Sequence, residues 1–163
     1  MTDPSVGQRD TAGVIAPPPL IYAGFLLAGV ALNYGWPMAI VGADFSREIR
    51  FAVAAALGAL GIVVGVAGFL QFRRAGTDVR PDRPTTALVT DGLYRYSRNP
   101  LYVSQTLVYL AIALAADDWW AFVLILPTLL LIQTGVIARE EAYLERKFGD
   151  SYRAYKAGVR RWL

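Results

Sequence analysis

The sequence predicts an all-α fold: a polytopic membrane helical bundle with four transmembrane helices and a cytoplasmic, amphipathic C-terminal helix. Three observations carry that prediction. Hydrophobic residues make up 55% of the 163 and charged residues only 18%, against roughly a quarter in a soluble domain. The apolar residues gather in runs too long for ordinary globular helices. The charges collect between and after these runs, above all in 73–99 and 139–163.

Residues 1–19 contain proline and glycine and lack the basic start and short apolar core of a signal peptide. They read as a flexible leader ahead of one domain spanning 20–163. Leu20 to Ala43 carries no charge and, at about 1.5 Å per residue, is long enough for a hydrocarbon core of about 30 Å. Asn33 and Pro37 interrupt it, which fits a kink, a buried polar contact or a place near the membrane surface. Asp44, Arg47, Glu48 and Arg50 form a short connector to the second run, Phe51 to Leu70. Along it Ala54, Gly58, Gly61, Gly65 and Gly68 recur at spacings of three and four, a pattern that admits a close backbone neighbour within one chain or in a dimer.

The segment 73–99 is a polar loop in which Arg73, Arg74, Arg80, Arg83, Arg95 and Arg98 stand among Asp78, Asp82, Asp91 and several prolines. Leu101 to Ala116 is a short third run that spans only with help from its flanks or from local thinning. After Asp117 and Asp118, Trp119 and Trp120 are placed as interfacial anchors of a fourth run reaching Ala138, with Pro127 expected to kink it. Beyond Arg139 the tail is basic. Tyr152, Tyr155, Val159 and Trp162 recur at helical spacing, which predicts a helix lying on the membrane or against the long loop. The excess of Lys and Arg in loop 73–99 and tail 139–163 places both, and both termini, in the cytoplasm, with a bacterial inner membrane as the expected location.

Composition also restricts the chemistry. Without cysteine there is no disulfide, thiolate nucleophile or cysteine metal site, and without histidine the commonest metal ligand and base is missing, so no metal site is expected. Any base must be a carboxylate, tyrosine or lysine. The glycines lie inside an apolar helix and not in a phosphate-binding loop, and the arginines lie beside spans, where anionic lipid is the nearest polyanion; no nucleic acid partner is expected.

Two segments place polar groups directly beside hydrocarbon: 88–102 and 139–162. Gly92 lets the first turn, and Asn99-Pro100 suits the start of a helix. A turn and cap is one reading. Tyr94, Arg95, Arg98, Asn99 and Tyr102 exceed what a cap needs and could enclose a charged cofactor or headgroup. In the second segment, burial of Glu140 or Glu141 calls for a compensating cation. A ligand ammonium or sulfonium would serve, and so would Arg139 or Lys147. Glu141 and Glu145 share a helix face, whereas Glu140 points elsewhere.

Taken together, the two segments resemble the isoprenylcysteine carboxyl methyltransferase and phospholipid methyltransferase family of integral membrane enzymes. The resemblance rests on Gly92, Tyr94 and Arg95 leading to Arg98-Asn99-Pro100 and Tyr102, then on Glu140-Glu141, Phe148-Gly149, Tyr152 and Tyr155, with Val159, Arg160 and Trp162 closing the pattern. It covers roughly Ala75 to Leu163. Leu93, Asn99 and Ser104 depart from it, where many relatives have proline, histidine and glycine.

The resemblance implies a cytoplasmic S-adenosylmethionine site lined by Leu88, Gly92, Tyr94, Asn99, Tyr102 and Glu140. Arg98 and Glu141 would stand at its polar, reacting boundary, and the acceptor would be a membrane lipid or lipidated small molecule arriving laterally. No oligomeric state is implied. The leading expectation is methyl transfer to a carboxylate of a lipidated or isoprenoid-like acceptor, which needs no base. The second is N-methylation of a phospholipid ethanolamine headgroup, which does. Reductase-like chemistry and a noncatalytic membrane role are further alternatives.

Overall fold

The computed structural model describes residues 11–42, 46–80 and 83–163. Helix α1 is Pro18–Gly35, α2 Arg47–Arg74, α3 Pro100–Ala116, α4 Trp119–Ile132, α5 Ala138–Phe148 and α6 Asp150–Gly158. A single 3-10 turn, Gly92–Arg95, precedes α3, and a π-turn, Gln133–Ile137, joins α4 to α5. No strand occurs among the described residues.

Among the described residues, three helices are long and apolar enough to cross a membrane: Pro18–Gly35, Arg47–Arg74 and the continuous Trp119–Phe148. The protein is an integral membrane protein. The expectation of four spans is therefore corrected to three, because the third apolar run forms a helix of only 17 residues. Helix α3 is one residue shorter than the shortest spanning helix, Pro18–Gly35. The membrane-lying amphipathic helix expected of the tail is corrected as well. Gly149, at φ +54, breaks the chain, and α6 is a nine-residue helix that turns Tyr152 into the protein.

The first span ends early for a local reason. Asn33 Oδ1 accepts the Met38 N–H at 2.9 Å, so Asn33 closes the turn after α1 and Pro37 lies outside the helix. Arg47, Glu48 and Arg50 belong to the first turn of α2, where the Ser46 hydroxyl accepts from Ile49 N; Asp44 and Asp82 lie outside the described residues. Helix α4 continues through Pro127, which lacks the N–H for a bond to Val123 O, and a second departure from regular bonding comes at the π-turn.

Helices α2 and α3 are antiparallel: Gly68, near the end of α2, meets Leu101, while Arg50, at its start, bonds the last carbonyls of α3. Their close approach explains the small-residue stripe. A Cβ at Gly61 or Gly65 would collide with Val108 or Ser104, and the Ser104 hydroxyl donates to Gly61 O at 2.7 Å. The stripe thus serves packing within the chain. Since apolar helices gain little from one another's hydrophobicity in lipid, such close contacts and buried hydrogen bonds carry the association. Gly29 gives α1 the same access to the backbone of α4 at Ala121. Between these helices Tyr22, Tyr102, Tyr109, Ile125, Ile132, Val136 and Ile137 form the buried core, the last three fully enclosed.

Candidate functional site

At the end of the bundle where α2 finishes and α3 begins, loop 77–99, the first turn of α3, α5 and α6 surround one cleft. Each wall has a local cause. Gly92, at φ +56, turns the loop into the 3-10 turn, whose Leu93 N–H is held by Gln71 Oε1. That turn lays Tyr94 edge-on against Phe72. Pro100 then starts α3, with its fixed φ suited to a first helical residue, and aims Tyr102 across the cleft at α5.

The π-turn sets what α5 presents. Ala138 N–H reaches back five residues to Gln133 O, so one extra residue enters the helix and the inward stripe shifts phase. Val136 and Ile137 are consequently both buried, and two consecutive acids, Glu140 and Glu141, both border the cleft. On the regular helix α5 the two acids project about 100° apart, and the phase set by the π-turn leaves one on each side of the direction of the cleft.

The two carboxylates have different partners. Glu141 is 7% exposed; Arg161 donates to it through Nε at 3.0 Å and Nη2 at 2.7 Å, while Arg98 Nη1 stands 2.9 Å from Oε1. Its charge is committed to two guanidiniums. Glu140 instead accepts one short hydrogen bond, 2.7 Å, from the Tyr102 hydroxyl. The C-terminal strand of chain is clasped over this arrangement, with Arg98 N–H donating to Arg160 O at 2.9 Å and Asn99 Nδ2 to Arg161 O at 2.8 Å. Tyr155 donates to Tyr94 O at 2.8 Å and ties α6 to the loop.

Burial holds the Tyr94 and Tyr155 hydroxyls well above the ordinary phenol range and pushes Tyr152 up to about 12. All three are therefore protonated donors at neutral pH and unsuited to act as bases.

Leu88, Tyr94, Arg98, Asn99, Tyr102, Glu140 and Glu141 all border the cleft, although up to 53 positions separate them in sequence. Gly92 does not border it and acts through the turn it permits. Arg161 was not singled out by the sequence. Its signal was the unmet need of Glu141 for a cation, which the reversal at Gly149 brings back from the tail. Ala12, which also borders the cleft, left no signal of its own.

The phospholipid methyltransferase family model matches residues 49–151, more than half of the chain. The chain belongs to the phospholipid methyltransferase family. Family membership makes it an S-adenosylmethionine-dependent methyltransferase acting on a membrane-associated substrate. Among curated relatives, an uncharacterized protein of Haemophilus influenzae is 48% identical over 63 residues, 39% of this chain and all of that protein. The protein-S-isoprenylcysteine O-methyltransferase of Schizosaccharomyces pombe is 38% identical over 72 residues, 44% of this chain and 30% of the yeast enzyme. No solved structure matches the chain.

The donors and walls of the cleft fit the cofactor of this methyltransferase family. A carboxylate and several aromatic rings suit a sulfonium, an ammonium and a purine face. Arg98 Nε, buried and without a hydrogen-bond partner among the described residues, suits a carboxylate.

Proposed function

We propose that this protein methylates the amino group of a membrane phospholipid headgroup of the ethanolamine type, with S-adenosylmethionine held in the cleft between loop 77–99, α3, α5 and α6. The observation that carries the reading is the contrast between the two glutamates. Glu141 is paired with Arg98 and Arg161, whereas the Glu140 carboxylate, among the described residues, accepts from the Tyr102 hydroxyl. An ammonium headgroup is attracted to such a carboxylate and must lose a proton to become a nucleophile. An anionic carboxylate acceptor would be repelled by it and would have no use for a base. The family match to phospholipid methyltransferases supports the amine over the carboxylate that the sequence favoured.

When bound, the cofactor supplies an electrophilic methyl group on sulfur. Tyr94, Asn99 and Tyr102 would line its site, and Arg98 Nε, which has no hydrogen-bond partner among the described residues, would take its carboxylate. Glu140 accepts the proton that leaves the headgroup nitrogen, and the Tyr102 hydroxyl keeps that carboxylate oriented. Glu141 fixes Arg98 and the tail, since both of its oxygens already accept from the Arg161 guanidinium. Arg73, Arg74 and Arg95 are exposed at the rim, and under the positive-inside rule this supports reading the cleft as cytoplasmic.

The test is product identity. Purified protein in nanodiscs is given methyl-labelled cofactor with either phosphatidylethanolamine or a prenylated cysteine. Base-stable label on the ethanolamine headgroup is expected. Base-labile label confined to the cysteine carboxylate, the group implied by the name of the yeast relative, would overturn the amine reading and leave the cofactor site intact.

A further inference from the structure

We propose that residues 12–15 form a wall of the cofactor cleft, and that Gly135 and Arg139 are positioning residues that hold this wall against the helix turn preceding Glu140. The inference rests on the cofactor reading above. Ala12 borders the same cleft as Tyr102 and Glu140, from the opposite end of the sequence.

Three contacts fix it there. Gly13, at φ +59, turns the chain in a conformation that favours glycine, and its carbonyl accepts from Arg139 Nη1 at 2.8 Å. Ile15 N–H donates to Gly135 O at 3.3 Å. Gly135 has no side chain where the Ile15 side chain lies: a Cβ at that position would overlap Ile15 Cδ1 and Cγ1. Val14 and Ala16 on the same segment pack against the core that contains Val136 and Ile137.

The docking surface is the π-turn itself, the element that turns Glu140 and Glu141 toward the cleft. The N-terminal segment and Glu140 thus share one support. Displacing the segment opens the cleft at Ala12 and removes a brace from the turn that carries the glutamate. Arg139 is adjacent to Glu140 but faces outward, so it acts through Gly13 and not on the cofactor directly.

The decisive experiment measures cofactor affinity by calorimetry on the full chain in nanodiscs, alongside its unfolding midpoint. Gly135→Ala should weaken affinity roughly fivefold or more, the worth of about one hydrogen bond. Adding Ile15→Ala should restore it to within about twofold, because the colliding side chain is gone. Arg139→Ala should weaken binding more than Arg139→Lys, which keeps a donor near Gly13. Ala12→Leu, which leaves the π-turn intact, should also weaken binding by filling the cleft, and it serves if Gly135→Ala does not fold.

Wild-type affinity in Gly135→Ala or in Ala12→Leu would overturn the wall, as would failure of Ile15→Ala to rescue a folded Gly135→Ala protein. In those cases, normal binding by the wild type with loss in Tyr102→Phe leaves the cofactor reading standing. A wild-type protein that binds no cofactor sinks both.

Discussion

Two buried ion pairs stand at opposite ends of this bundle, and they differ in what remains unsatisfied. At the far end, Arg50 is 9% exposed, donates through Nη1 to Leu114 O and Ala115 O, and lies 3.4 Å from Asp117. Asp117, in the left-handed region at φ 55, also accepts the N–H groups of Ile40 and Val41. This cluster closes the end of α3 and binds the loop after α1. At the cleft end, Arg98, Glu141 and Arg161 are comparably interlocked, yet Arg98 Nε has no hydrogen-bond partner among the described residues and a cleft lies beside it. A buried ion pair that uses its donors to tie off helix ends is architecture, while one that leaves a buried donor facing a cleft is prepared for a ligand.

The largest effect should come from removing the acid of the cleft cluster. Glu141→Ala leaves two guanidiniums without their counter-charge and should destabilise the protein by about 3 kcal/mol, read from denaturant unfolding in detergent. A change under about 1 kcal/mol would mean that solvent reaches the cluster and that its burial has been overvalued.

Arg50→Met should cost somewhat less, about 2 kcal/mol, because it frees carbonyls at a helix end and exposes the Asp117 charge. Its cofactor affinity by calorimetry should equal that of the wild type. A shared loss of affinity would erase the distinction between the two ends.

Tyr102→Phe should cost least in stability, about 1 kcal/mol for one hydrogen bond, yet it should weaken cofactor binding severalfold by leaving Glu140 unheld. A stability loss with unchanged binding would make Tyr102 a packing residue.

The far end was partly legible in sequence and the cleft end more so, for different reasons. Long uncharged runs reveal helices because lipid requires them, and the runs after Phe51 and Trp119 appear as α2 and α4. Length decides whether a run crosses, and α3 at 17 residues is shorter than the spanning helices Pro18–Gly35, Arg47–Arg74 and the continuous Trp119–Phe148. Asn33 was ambiguous because the same side chain can serve a buried contact or a turn; its bond to Met38 N, five residues on, shows that it serves the turn. Residue type marked the 88–102 and 139–162 segments as polar stretches beside hydrocarbon, and the family resemblance joined them into one site. What separates Glu140 from Glu141 was not, since it depends on one extra residue in a π-turn and on Arg161 returning after Gly149. Neither leaves a periodic signature.

The most direct test of the account is Glu140→Gln, which keeps the side-chain size and the neighbouring Glu141 cluster while removing the carboxylate. Single-turnover methylation of phosphatidylethanolamine should fall by about a hundredfold or more, as expected for loss of a proton acceptor. The unfolding midpoint should remain near that of the wild type, and the rise of rate with pH should lose the step that the carboxylate supplies. A Glu140→Gln protein that methylates the amine at the wild-type rate with an unchanged pH profile would contradict the assignment of Glu140.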